Sequence, residues 1–171
     1  MIAINVKTIT RGALSIALIC VFFTIFRGPT NIINALLVPL TLYMSVINQK
    51  AKDTAVIFST LFLVCFILFK VQMIFTFFYC ILALMLRLFQ NKKVPNLIAG
   101  IIMTISISLS FWISIIFTDY IFLTHISDIM LRMAHGNYFI YMSVLVFEGA
   151  LVGISQLLIS RKIQLGPGGA L

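Results

Sequence analysis

The chain has 171 residues, of which 62% are hydrophobic and only 9% charged. A soluble domain carries about 25% charged residues, so there is too little polar surface here to cover a water-facing globule, and lipid must be the solvent for most of the chain. The net charge of +8 does not argue for nucleic acid, because the cations flank apolar runs and form no basic surface of their own.

The cations fall into clusters that alternate between heavy and light: Lys7/Arg11, Arg27, Lys50/Lys52, Lys70, Arg87/Lys92/Lys93, Arg132 and Arg161/Lys162. That alternation is expected of a chain crossing a membrane six times with both ends in the cytoplasm. The heavy clusters meet a single acid, Asp53. The light ones are nearly balanced by Asp119 and Asp128, and Glu148 lies inside an apolar run. The excess charge is thus an orientation signal and a contact with anionic headgroups. The expected fold is all-α, a polytopic six-helix bundle in a bacterial cell membrane. One membrane domain covers residues 1–163.

In chain order, helix 1 is expected over 12–26. This is about 22 Å, short for a hydrocarbon core of about 30 Å unless Thr8 to Arg11 extend it with Arg11 snorkelling. Its basic start and apolar stretch resemble a signal peptide, but no small-x-small cleavage site follows Phe26, so it reads as a retained helix. Arg27 to Asn31 breaks it. Helix 2 covers 31–48 with Pro39 inside, where a proline removes a backbone hydrogen bond and kinks the helix. The apolar stretch 54–90 would exceed about 50 Å as one helix, so it is split at Phe69-Lys70-Val71-Gln72 into helices 3 and 4, although neither Gly nor Pro marks the turn. Helix 5 covers 97–118; Ser106, Ser108, Ser110 and Ser114 can back-bond within it or bridge to neighbours. Residues 119–137 have mixed polarity. Within them Ile126, Ile129, Met130 and Met133 repeat at helical spacing and would face one way on a short surface helix. Helix 6 covers 138–159 and ends at Arg161 and Lys162. Residues 164–171, with Gly-Pro-Gly-Gly, read as an unstructured tail or a cloning remnant.

No enzyme signature is present: no paired carboxylates, no nucleotide-binding glycine loop and no His-x-x-x-His pair. No catalytic residue, metal site or cofactor is expected. Cys20, Cys65 and Cys80 lie in apolar runs and read as buried or lipid-facing side chains. Glu148 is the most informative residue. An ionisable group about ten residues into helix 6 costs several kcal/mol unless it faces protein or water. It is either a structural hydrogen-bonding partner or a ligand contact in a cavity. Arg27, Lys70, Asp119, His125, Asp128, Arg132 and His135 are expected on the outer face, with Trp112, Tyr120, Tyr138 and Tyr141 near the same interface. Aromatic rings with converging polar groups suit a small ligand; an interfacial aromatic belt with loop charges is the plainer reading. His125 and Asp128 can pair at i,i+3. In helix 1, Ala13 and Ala17 lie four apart with Gly12 and Ser15 nearby, a small-x-x-x-small face that permits close helix approach.

With these residues on one chain, Arg11-Gly12-Ala13-Leu14-Ser15-Ile16-Ala17-Leu18 resembles the first helix of the substrate-binding S components of energy-coupling-factor vitamin transporters. There an Ala-x-x-x-Ala motif docks on a shared transmembrane coupling subunit. The size and six-helix layout of residues 8–162 are similar too, as they are to a related group of uncharacterised bacterial membrane proteins. The resemblance implies an outward pocket lined by Arg27, Lys70, Trp112, Tyr120, His125, Tyr141 and Glu148. Glu148 would accept hydrogen bonds or pair with a cationic group, and the rings would stack on the ligand. It further implies that Ala13 and Ala17 bind the coupling subunit and that two cytoplasmic ATPases drive uptake. The competing class is a membrane scaffold or assembly protein acting through helix–helix contacts, such as the rod-shape-determining family, whose Gly-Leu-Leu-x-Asp signature is absent. A lipid-modifying enzyme is a third class, disfavoured by the shortage of acid–base groups.

Overall fold

The structure, a computed structural model, describes residues 6–27 and 31–165, without the side chains of Lys7 and Leu165. It is all-α, with seven helices and no strand among the described residues. Five are long and apolar enough to cross a membrane, which makes the chain a multi-pass membrane protein by helix length and composition. The chain divides into two compact units, Met1–Arg87 and Leu88–Leu171.

The first unit holds α1 (Val6–Ile25), α2 (Ile32–Val46), α3 (Ala51–Leu68) and most of α4 (Gln72–Asn91). Helix α1 already includes Thr8 to Arg11, so its 20 residues reach about 30 Å. The short helix is instead α2, with 15 residues. Most of its side chains are buried, Pro39 among them. Asn31 caps it by accepting from Ile33 N at 2.8 Å, and Asn34 Nδ2 donates to Phe26 O at 2.8 Å, tying the end of α1 to the start of α2. Residues 28–30 of the expected break lie outside the described residues. The α3–α4 connection falls where the apolar length required it. The Phe69 amide closes α3 on Cys65 O at 2.8 Å, and the Gln72 amide bonds to Phe69 O at 2.8 Å. The Phe69 ring meets Phe23 of α1 edge-on at 5.5 Å. An aromatic anchor thus serves where the sequence carries no turn residue.

The opposite end of this unit is knit by polar side chains. Arg87 of α4 donates to Gln49 O at 2.6 Å and to Thr54 Oγ1 at 3.2 Å, while Thr8 of α1 donates to Gln49 Oε1 at 2.9 Å. Three helices, α1, α3 and α4, thus meet at the α2–α3 loop. Between α1 and α3, a Cβ added at Gly12 would lie 3.0 Å from Ile57 Cγ1, so Gly12 is what lets these helices approach.

The second unit holds the end of α4, then α5 (Asn96–Phe122), α6 (Ile126–Met133) and α7 (Tyr138–Leu165). Both long helices overrun their expected ends: α5 carries Asp119 in its last turn, and α7 passes Arg161 and Lys162. Residues 166–171 of the expected tail lie outside the described residues. Helices α5 and α7 pack closely through Gly149 and Gly153. A Cβ on Gly149 would sit 2.9 Å from Thr104 O, and one on Gly153 would sit 3.2 Å from Met103 Cβ. Ser108 adds a bridge, donating to Thr104 O in its own helix at 2.9 Å and to Leu145 O of α7 at 3.1 Å. Gln90 Nε2 donates to Ser160 Oγ at 2.8 Å, and Arg161 donates to Val94 O in the α4–α5 loop at 2.7 Å.

Helix α6 is the short amphipathic helix expected from the 126–133 spacing. It contacts α5 and α7 and fully buries none of its residues. Asp119 fixes its start. The carboxylate accepts from Ile126 N and Ser127 N, each at 2.8 Å, from Thr124 Oγ1 at 2.6 Å and from Ser127 Oγ. Gly136 ends the following turn in the left-handed region, φ +75°, where its amide reaches Leu131 O at 2.9 Å. Asn137 then caps α7, accepting from Phe139 N at 2.9 Å.

Candidate functional site

The seven residues expected to line a pocket are shared by the two units. Arg27 and Lys70 belong to the first, where both are exposed; Arg27 Nε donates to Thr24 O of its own helix end at 3.3 Å. Trp112, Tyr120, His125, Tyr141 and Glu148 belong to the second. No hydrogen bond joins any two of the seven among the described residues.

Within the second unit their surroundings differ. Trp112 stands at a groove of about 280 Å³ between α5 and α7, with Thr104, Ser108, Leu109, Met142 and Leu145. Its lining is almost wholly apolar, so the groove offers stacking and shape rather than polar recognition. Tyr120 is 83% exposed. His125 precedes α6 and pairs through Nδ1 with Asp128 Oδ2 at 3.5 Å, the i,i+3 pair the spacing allowed. Both side chains are well exposed, so the pair is worth little energetically. Tyr141 is 6% exposed and Glu148 is half-buried. Seven residues, two helical turns, separate them, which places both on one face of α7.

Glu148 has no hydrogen-bond or ion-pair partner among the described residues. It is the eleventh residue of α7, about 15 Å along the axis from the helix start and well inside the apolar stretch Tyr138–Gln164. Asp119 is the opposite case. All its bonding capacity serves the α6 start, and it is a structural carboxylate.

The expected partner face has a definite geometry. Gly12 is buried against α3, whereas Ala13 and Ala17 are exposed. Ala13 lies on the rim of a shallow groove between α1 and α3 that also includes Thr8, Asp53, Ile57 and Thr60. The small stripe of α1 is thus divided, one side closing the unit and the other left open.

The most consequential small residues were not singled out from the sequence. Gly149-x-x-x-Gly153 is itself a small-x-x-x-small pattern, and its four-residue spacing was a sufficient signal. Arg87 and Arg161, read as orientation charges, also hold loop carbonyls, a role that charge counting cannot show. No three or more His, Cys, Asp or Glu side chains gather as a metal site among the described residues. Cys65 and Cys80 are buried and Cys20 half-buried, all as free thiols.

Comparison with family models, with curated proteins and with solved structures finds no match to this chain.

Proposed function

We propose that the chain is a membrane-embedded solute-binding subunit, similar in role to the S components of energy-coupling-factor transporters. It would capture a small molecule such as a vitamin from outside and pass it to an ATP-driven coupling module. The observation that carries this reading is Glu148. A carboxyl group within an apolar membrane helix, without a partner among the described residues, is costly to keep. A ligand donating to it or pairing with it would offset that cost. Tyr141 on the same face of α7 and Trp112 on α5 would supply aromatic surface. Tyr120, in the last turn of α5, and His125, just before α6, would contribute from the same unit.

The exposed Ala13–Ala17 face supports a partner helix in the membrane, the expected place for a transmembrane coupling subunit served by two ATPases. That face alone would serve a scaffold equally well; Glu148 favours the solute-binding reading. The test is mass spectrometry of small molecules and proteins retained after gentle detergent purification, comparing the native chain with Glu148→Gln and Ala13→Trp. A vitamin-sized passenger lost in Glu148→Gln, and a partner lost in Ala13→Trp, are the expected results. A passenger retained unchanged by Glu148→Gln would make that carboxyl structural. A partner retained by Ala13→Trp would remove α1 as the docking helix.

A further inference from the structure

A second groove, of about 660 Å³, lies on the first unit between α3 and α4. It is lined by Phe58, Ser59, Phe62, Leu63, Phe66, Phe77, Cys80, Ile81 and Leu84. No charged side chain lines it, and most of the lining side chains are exposed. Its volume falls within the range of ligand pockets.

The stripe that forms its α3 wall continues to the start of that helix. Lys52, Ala55, Ser59, Phe62 and Phe66 follow one another at intervals of three or four residues and so share a face. All five are exposed. Ala55 and Ser59 are small, so little side-chain bulk stands between Lys52 and the groove that begins at Phe58 and Ser59. The helix start itself lacks a side-chain cap: Lys50 occupies the N-cap position and makes no capping hydrogen bond. The first backbone N–H groups of α3 therefore point outward beside Lys50 and Lys52, both exposed and without an ion pair among the described residues. Asp53, the one acid in this turn, lies on the other side of the helix, in the groove beside Gly12 and Ala13.

Depth agrees with this arrangement. Helix α3 has 18 residues, about 27 Å, close to the thickness of the hydrocarbon core. Its first turn then stands at headgroup level and Phe62 near the bilayer centre. Cations and free N–H groups at the headgroup level, with an uncharged aromatic channel beneath, complement an anionic headgroup on an acyl chain.

We infer that the α3–α4 groove is a binding site for an anionic phospholipid. Its phosphate sits at the α3 start against Lys50, Lys52 and the free amides, and one acyl chain lies along Ala55 and Ser59 onto Phe62, Phe66 and Phe77. The headgroup supplies selectivity and the groove supplies a fixed seat for the tail. This is a different surface from the proposed solute site and from the Ala13–Ala17 face.

The test is native mass spectrometry of the purified chain with phosphatidylglycerol and phosphatidylcholine of identical acyl chains, together with photocrosslinking by a phosphatidylglycerol carrying a mid-chain diazirine. The chain is expected to retain phosphatidylglycerol preferentially. Lys50→Gln and Lys52→Gln should each weaken that preference about fivefold, and adducts should concentrate on residues 58–66 and 77–84. Both lysines are exposed, so the variants should remain folded, which size-exclusion chromatography confirms. Equal retention of the two lipids, a preference unchanged in the double variant, or adducts spread evenly over α1, α5 and α7 would each overturn the site. High-yield disulfide dimers of Leu63→Cys in the membrane would do so too, because a second copy would then occupy the groove.

Discussion

At the scale of single residues, Asp119 and Glu148 show how position divides the work of similar carboxyl groups. Asp119 gathers four donors at the junction of α5 and α6. Removing it strands two backbone amides and two hydroxyl groups. Asp119→Ala should therefore cost about 1–2 kcal/mol. It should also raise hydrogen exchange at the Ile126 and Ser127 amides without altering exchange in the middle of α5. Glu148, by contrast, has no such debt to its neighbours, and Glu148→Gln should leave thermal stability in detergent nearly unchanged while affecting a solute. The sequence distinguished Glu148 by its depth in an apolar run. It did not reveal the role of Asp119, which depends on the chain turning back within eight residues.

At the scale of elements, glycine marks where helices touch. In the membrane, association rests on close packing and interhelical hydrogen bonds rather than on expelling water, so the space left by a missing Cβ matters. Gly149→Ala would push a carbon against the backbone oxygen of Thr104 and against Ser108 Oγ. It should destabilise the α5–α7 pair by about 1–3 kcal/mol, read as a lower midpoint of thermal unfolding in detergent. Gly100→Ala is the control. A Cβ there meets nothing within 4 Å, so the change should be neutral or should stabilise α5 by up to ~1 kcal/mol through helix propensity. The arginine clasps belong to this scale as well. Arg87→Met removes the donors to Gln49 O and Thr54 Oγ1, and should cost about 1.5–3 kcal/mol with faster amide exchange in the α2–α3 loop. Arg161→Met should loosen the α4–α5 loop in the same way by freeing Val94 O. Both arginines belong to heavy basic clusters, so two of the charges that read as topological signals also secure loops remote from them in the chain.

At the scale of the whole molecule, the charge alternation makes a prediction independent of any ligand. It expects both termini inside, so Lys50→Cys and Lys92→Cys should resist an impermeant thiol reagent applied to intact cells, whereas Lys70→Cys should react. Strong labelling at 50 and 92 would reverse the orientation and move the proposed pocket to the other side of the membrane. The all-α class was legible because hydropathy alone separates the apolar runs. The α3–α4 turn was legible because no single helix of that length fits a bilayer. Which span is short was not: α1 gained its first turn from Thr8 to Arg11, and α2 proved to be the brief one, with most of its surface taken up by neighbours.

The sequence by itself determined the solvent, the helical class and the residues that carry charge, because these follow from composition and from the order of polar and apolar residues along the chain. Only the tertiary structure decided which small residues meet a neighbouring helix, which face of α1 stays open and which arginines hold a loop. Those facts depend on the rotation of each helix about its axis and on its distance from the next, and a one-dimensional pattern constrains neither closely enough. Gly12 and Ala13 show the difference. They are adjacent in the chain and alike in size, yet about 100° of helical turn puts one against Ile57 and leaves the other exposed.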